Sequence, residues 1–164
     1  MIKVAVFGTG HLGKFHLNNW KEIPGIELVG FYDPDDATAK EVSEQYQLPR
    51  FTDTETLMDS SDALDIVAPT TFHFELCEQA IKKGKHVFVE KPVCYSVKDL
   101  QELISLQRDS ICLSGLQKRF CRINQLLKKR PSDTASYQYR YLCGPYPEGD
   151  PVIELFIHPI ANII

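Results

Sequence analysis

The sequence predicts an α/β protein built on a doubly wound parallel sheet. Between residues 2 and 116, short runs rich in β-branched and aromatic residues alternate with segments of helical periodicity. This alternation is the pattern of a parallel sheet that is covered by helices on both faces. The strand runs are nearly continuous in apolar residues, as strands buried on both faces require. A chain of 164 residues is long enough for one such domain and slightly more.

Six strands and five helices account for the first part of the chain. The helices follow or precede the strands at intervals that suit crossover connections. The predicted strands are Ile2–Phe7, Ile26–Tyr32, Arg50–Phe51, Ala63–Ala68, His86–Val89 and Ile111–Leu116. The first predicted helix runs from the glycine turn to about Ile23, and the others are Asp35–Gln47, Thr54–Met58, Thr71–Lys83 and Ser96–Gln107.

A glycine-rich turn follows the first predicted strand. Gly8, Gly10 and Gly13 have the spacing G-x-G-x-x-G between strand and helix. The first glycine permits a tight turn, the second lets a pyrophosphate approach the backbone, and the third lets the helix pack on the strand. Asp33, at the end of the second strand, can accept hydrogen bonds from ribose hydroxyls. Together these features favour dinucleotide binding over a purely structural turn.

The acid at the second strand also predicts which dinucleotide is bound. Asp33 would repel a 2′-phosphate, and the next positions, Pro34, Asp35 and Asp36, supply no arginine to receive one. The sequence therefore predicts NAD rather than NADP.

The strand His86–Val89 leads into Glu90-Lys91-Pro92. A buried parallel strand delivers the residues after it to the carboxyl edge of the sheet, where α/β proteins bind ligands. A desolvated lysine there can lose its proton near neutral pH and serve as an acid or base. The alternative is a surface lysine that opens a loop. His73, at the start of a helix, is read either as a partly solvated histidine or as a contact for cofactor or substrate.

Composition excludes several classes of function. The hydrophobic fraction of 43%, the charged fraction of 24% and the net charge of −4 are those of an ordinary globular protein without a basic footprint. We therefore expect no nucleic acid and no membrane partner. No export signal is recognised at the N-terminus, so a cytoplasmic location is predicted. The five cysteines include no C-x-x-C pair, so neither a metal site nor a disulfide framework is predicted.

The pattern changes after residue 118. Residues 122–130 read as a short basic helix and 134–142 as a strand with three tyrosines on one face. A last helix places Glu154 and His158 four residues apart on one face, with a kink expected before Pro159. We expect a domain boundary between residues 118 and 119, and the segment 119–164 reads as the interrupted start of an α+β domain.

Taken together, these motifs resemble the Gfo/Idh/MocA oxidoreductases over essentially the whole chain. The most specific part is Gly84–Pro92, which reads G-K-H-V-F-V-E-K-P. The resemblance implies a Rossmann domain and NAD(P)-dependent hydride transfer at a carbinol carbon of a sugar, cyclitol or related small molecule. The other segments that carry it are Gly8–Gly13, Asp33, Pro69–His73, Gly115–Phe120 and Glu154–His158.

The resemblance also implies roles for single residues. Lys91 would lie near the nicotinamide and the substrate hydroxyl, and His158 would be the catalytic histidine. Three positions depart from the family pattern. Glu154 occupies a position where the family usually has aspartate, and Asn162 occupies one where an aspartate commonly follows. Ala68-Pro69 replaces the commoner Thr-Pro. The implied cofactor site consists of Gly8, Gly10, His11, Leu12, Gly13, Asp33, Pro69, Thr70, His73, Glu90 and Lys91.

Relatives of this kind continue into a full substrate domain whose open sheet also forms a dimer interface. A homodimer is therefore expected, with Tyr137, Tyr139 and Tyr141 on the strand face that needs covering. Two other functions stay open at this stage. One is a non-catalytic dinucleotide-binding module, either a regulator or a truncated remnant. The other is a reductase of an unsaturated substrate such as a tetrapyrrole. The oxidoreductase and the non-catalytic module both predict cofactor binding, and only the oxidoreductase predicts turnover.

Overall fold

A computed structural model describes residues 1–116 of the chain. Within them, Met1–Ser114 form one compact unit. Six strands alternate with five α-helices and one 3-10 turn. In chain order these are β1 (Ile2–Phe7), α1 (His11–Lys21), β2 (Ile26–Tyr32), α2 (Asp36–Tyr46), β3 (Arg50–Phe51), α3 (Thr54–Asp59), β4 (Ala63–Ile66), the 3-10 turn Thr70–Phe72, α4 (His73–Lys82), β5 (His86–Val89), α5 (Val97–Leu106) and β6 (Cys112–Ser114).

The strands form one parallel sheet in the order β3-β2-β1-β4-β5-β6. The chain reverses its direction of winding between β1 and β4, which is the switch point where such sheets bind ligands. The last residues of four strands are in register: Phe7 pairs with Tyr32 and with Ile66, and Ile66 pairs with Val89. The residues that follow these strands therefore lie along one carboxyl edge.

Side chains of the sheet alternate between two apolar layers. Phe7, Leu64 and Ile66 pack on one face with buried residues of α3, α4 and α5. Val6 and Phe31 pack on the other face with buried residues of α1 and α2. The sequence pattern thus produces a sheet that is buried on both faces, and the predicted doubly wound Rossmann fold is confirmed.

Side-chain caps fix where three of the helices begin. The Asp35 carboxylate accepts from the N–H of Thr38 at the start of α2, and Asp53 accepts from Thr56 at the start of α3. Ser96 caps α5 through its hydroxyl oxygen. Each cap satisfies amides that have no partner within the first turn. Helices α1 and α4 begin without a side-chain cap.

Two predicted elements on either side of Pro69 have different bounds in the structure. Strand β4 stops at Ile66 rather than Ala68, and the helix predicted from Thr71 is divided into a 3-10 turn and α4, which begins at His73. The carbonyl of Pro69 accepts the N–H of Phe72, which closes the 3-10 turn ahead of α4. The sixth strand is also shorter than predicted and covers Cys112–Ser114.

The elements predicted after residue 118 lie outside the described residues, and the domain boundary stays a prediction. Among residues 1–116, no helix is long and apolar enough to cross a membrane.

Candidate active site

The glycine turn lies between β1 and α1, and its three glycines meet different surroundings. Gly8 has φ +89, and a Cβ there would lie 2.7 Å from the Cα atom of Ala68. A Cβ on Gly13 would collide with the carbonyl oxygen of Gly8. Gly10 has no atom within 4 Å of its Cβ position. The turn is therefore closed toward the protein and open at Gly10.

Gly10, on the open side of the turn, directly precedes helix α1. His11 and Leu12 are the first residues of this helix, and both are exposed. Because no side chain caps α1, its first amides remain available to an anion, and the helix dipole favours negative charge there. This is the arrangement that holds a pyrophosphate.

Asp33 braces the glycine turn. Its carboxylate is 7% exposed and accepts hydrogen bonds from the N–H of Thr9 at 2.7 Å, from the Thr9 hydroxyl at 3.0 Å and from the N–H of Asp35 at 3.0 Å. The predicted ribose contact stays a prediction. The structure adds a role that sequence reasoning missed, which is to tie the end of β2 to the turn after β1.

Arg50 reaches the same edge from β3. Its Nη2 donates to the carbonyl oxygen of Asp33 at 3.0 Å and lies 2.7 Å from Oδ1 of Asp36. Its Nε is buried without a hydrogen-bond partner. Although Pro34, Asp35 and Asp36 supply no arginine, the sheet brings one next to Asp33. The exposed carboxylate of Asp36 forms an ion pair with this arginine.

The exit of β4 contains Pro69, Thr70 and His73. Pro69 is exposed and Thr70 half-buried, whereas His73 is only 1% exposed. The partly solvated interpretation of His73 is therefore wrong. Its Nδ1 lies 2.7 Å from the carbonyl oxygen of Pro92 and its Nε2 lies 2.7 Å from that of Ala68. A neutral ring donates to one of these oxygens, and only a protonated ring donates to both. His73 thus connects the exits of β4 and β5.

Lys91 is half-buried and follows directly after Glu90 at the end of β5. The Glu90 side chain is 5% exposed, and its Oε2 accepts the backbone N–H of Lys91 at 3.1 Å. The backbone N–H of Glu90 donates to the carbonyl of Ile66 at 2.9 Å, which extends the β4–β5 pairing by one residue. The main chain of Lys91 is therefore attached to the sheet.

A buried charged cluster lies beneath this edge. Nδ1 of His16, on α1, lies 2.9 and 3.1 Å from the two carboxylate oxygens of Asp65, on β4. Nε2 of the same ring lies 3.4 Å from Oε1 of Glu90. The indole N–H of Trp20 donates to Asp65 at 2.6 Å, and the Phe88 ring meets the imidazole edge-on. Asp65 is 1% exposed, so its charge is balanced inside the protein.

The cluster shifts the pKa of two of its members. Burial alone would lower the pKa of His16, but hydrogen bonds and charge attraction from Asp65 and Glu90 outweigh it and raise the pKa to about 9. Burial would raise the pKa of Glu90, but the hydrogen bonds from His16 and from the Lys91 amide hold it below its usual range. At neutral pH the cluster therefore contains an imidazolium between two carboxylates.

Sequence reasoning identified one part of this edge and missed another. The glycine turn, Asp33, Pro69 and Lys91 meet at the carboxyl ends of β1, β2, β4 and β5. Glu154 and His158 lie outside the described residues. The missed residues are Thr9, His16, Trp20, Arg50 and Asp65. One signal was available, because an aspartate inside the apolar strand Ala63–Ile66 requires a buried partner.

The fold and this edge define a dinucleotide-binding Rossmann domain. The family model described as "Oxidoreductase family, NAD-binding Rossmann fold" matches residues 2–115. The chain therefore belongs to the Gfo/Idh/MocA oxidoreductase family.

Several similar proteins are named as dehydrogenases of sugar derivatives or cyclitols. The chain is 28% identical to UDP-N-acetylglucosamine 3-dehydrogenase of Acidithiobacillus ferrooxidans, over 97% of this chain and 52% of that protein. It is 32% identical to the NAD(+)-dependent scyllo-inositol 2-dehydrogenase of Bacillus subtilis, over 73% of this chain and 36% of that protein. A solved structure of the first enzyme matches with a TM-score of 0.72 at 31% identity, over 78% of this chain and 42% of that one. The chain spans about half the length, or less, of these relatives.

The pKa of His16 predicts how stability depends on pH. Because the folded pKa of about 9 lies above the ordinary 6.5, the stabilisation is complete below pH 6.5 and is lost as pH rises through 9. The shift sets a ceiling of about 3 kcal/mol, and solvent screening reduces the expected loss to about 2 kcal/mol. Urea unfolding of the full chain between pH 6 and pH 10, followed by circular dichroism, measures it. His11→Gln should keep this slope. A His16→Gln chain with the same slope as wild type would contradict the assignment.

Proposed function

We propose that this chain supplies the nicotinamide-binding half of an NAD-dependent oxidoreductase that transfers a hydride between the cofactor and a carbinol or carbonyl carbon. The observation that carries the proposal is one sheet edge that combines an open glycine turn at Gly10 with Lys91, whose main chain is held by Glu90. Family membership supports the reaction class over a purely regulatory binding module.

The residues at this edge suit a dinucleotide. Gly10 leaves space for a pyrophosphate, and the uncapped start of α1 offers amides to it. The adenosine ribose would lie near Asp33 at the end of β2, and Pro69 and Thr70 would border the cofactor after β4. When bound, the nicotinamide accepts or donates the hydride. The chain itself has to orient the reactants and move one proton.

Lys91 is the proposed proton carrier. In the oxidation direction its neutral amine would accept the hydroxyl proton of the substrate, and a bound nicotinamide would supply the hydride acceptor; in the reduction direction the lysine would return that proton. The support for this role is the position of Lys91 at the carboxyl end of β5, close to the switch point of the sheet. His158 and Glu154 are proposed as the second acid–base pair, on the strength of the family resemblance alone.

Sugars, sugar nucleotides and cyclitols are the proposed substrate class. Relatives carry the names UDP-N-acetylglucosamine 3-dehydrogenase, scyllo-inositol 2-dehydrogenase and myo-inositol 2-dehydrogenase. Each name describes oxidation at a ring carbon that bears a hydroxyl group. The homodimer and the cytoplasmic location stay predictions from the sequence, and sedimentation velocity would measure the first of them.

Replacing Gly10 tests where the cofactor binds. Gly10→Ala should leave the free energy of unfolding within about 0.5 kcal/mol of wild type, because nothing lies within 4 Å of the added methyl group. The same methyl group should weaken NADH binding about tenfold or more, because it occupies the approach of the pyrophosphate. NADH fluorescence titration and urea unfolding measure the two effects. Unchanged NADH affinity would exclude this turn as the phosphate site.

The pair of Arg50 and Asp36 tests cofactor preference. Wild type should bind NADH more tightly than NADPH, because Asp33 would repel a 2′-phosphate and Asp36 pairs with the arginine beside it. Asp36→Asn should shift the ratio of the two affinities toward NADPH by about three- to tenfold, since the freed guanidinium can pair with a 2′-phosphate. Titrations with both cofactors on both proteins give the ratio. Tighter binding of NADPH by wild type would refute the predicted preference.

Lys91→Met tests the chemical step. General acid–base assistance is typically worth about 10²–10⁴-fold, so turnover should fall by that factor while NADH affinity changes little. NADH formation with UDP-N-acetylglucosamine, scyllo-inositol and myo-inositol provides the assay. Lys82→Met is the matched control, because Lys82 is an exposed lysine of α4 paired with Glu78. Equal turnover by wild type and Lys91→Met, on a substrate that clearly reduces NAD, would remove the proposed role.

A further inference from the structure

The side chain of His16, in the buried cluster, contacts residues of both β4 and β5. Its helix α1 packs on the sheet through buried Leu17, and the neighbouring His16 contacts β4 and β5. One ring nitrogen meets Asp65 at 2.9 Å and the other lies 3.4 Å from Glu90. The imidazole side chain is only 12% exposed. It therefore joins the middle of β4 to the first residue after β5.

We propose that His16 is a positioning residue, which links Asp65 to Glu90 and thereby fixes the main chain that carries Lys91. The link continues through one more hydrogen bond, because the Glu90 carboxylate accepts the Lys91 N–H at 3.1 Å. If the imidazolium is removed, two buried carboxylates face each other without a cation between them. Repulsion between these carboxylates then favours rotation of the Glu90 side chain toward solvent, which breaks its hydrogen bond with the Lys91 amide.

The surroundings of His16 support a charge link rather than simple packing. The charged groups that the described residues place against its ring are Asp65 from β4 and Glu90 from β5, and Lys91 adjoins Glu90. Both ring nitrogens face carboxylate oxygens, so only a doubly protonated ring donates to both. A neutral isostere would fill the same space and satisfy one carboxylate at most.

The backbone amide of Lys91 is a direct reporter of this link. Its protection factor against hydrogen exchange, measured by NMR on the full chain, does not require turnover. In wild type we expect the protection factor to fall as pH rises through about 9, where His16 loses its proton. In His16→Gln the Lys91 amide should exchange about tenfold faster at pH 7, with no step near pH 9. The amide of Val6 in β1 should exchange as in wild type.

Two further measurements separate the charge link from a folding defect. Trp20 is the single tryptophan of the chain and donates to Asp65, so its fluorescence should titrate with the same midpoint as His16. Asp65→Asn removes one of the two counter-charges and should move that midpoint downward from about 9. His11→Gln, on the exposed start of the same helix, is the matched control and should leave both readouts unchanged.

The inference rests on the proposed role of Lys91, but the two can fail separately. Loss of turnover in Lys91→Met decides the catalytic role, whereas amide exchange decides the positioning role. A Lys91 protection factor that stays constant through pH 9 in wild type would overturn the inference, even if His16→Gln fails to fold. Equal Lys91 protection in wild type and a folded His16→Gln would overturn it as well.

Discussion

The site depends on the burial of a carboxylate in a central strand. Asp65 lies between β1 and β5 and is 1% exposed, and an unpaired charge at such a position costs several kcal/mol. Helix α1 removes that cost because it brings His16 and Trp20 to the carboxylate. The same helix begins at the glycine turn. The position of α1 on the sheet therefore determines two distances at once. One is from the open glycine turn to the sheet edge, and the other is from His16 to Glu90.

Local patterns were enough to predict most of the fold. Strands β1, β2, β3 and β5 have the predicted bounds, because each is an apolar run ended by residues that favour turns. The burial of His73 does not follow from such local patterns. His73 reads as a first-turn residue of an exposed helix end, but contacts with Ala68 and Pro92 draw it into the protein. Those contacts follow from the neighbouring strand exits, which helical periodicity does not encode.

The same distinction separates the predicted part of the site from the missed part. The glycine turn and Glu90-Lys91-Pro92 are short motifs that can be recognised from residues close together in the sequence. The contacts from Asp33 to Thr9, from Arg50 to the Asp33 carbonyl and from His16 to Asp65 join residues that lie 24, 17 and 49 positions apart. Sequence spacing does not specify such partners. It indicates at most that Asp65, as an acid in an apolar strand, must have one.

Lys91 is held from both faces of the sheet. The residue before it, Glu90, is attached to His16 on the face covered by α1, and the carbonyl of the residue after it, Pro92, meets His73 at the start of α4 on the other face. Neither histidine needs to contact a substrate to influence the site, because both hold the main chain on either side of Lys91. A sheet covered on one face offers only one of these attachments. The doubly wound architecture therefore contributes to the site directly, since it holds a flexible side chain on a backbone fixed at two points.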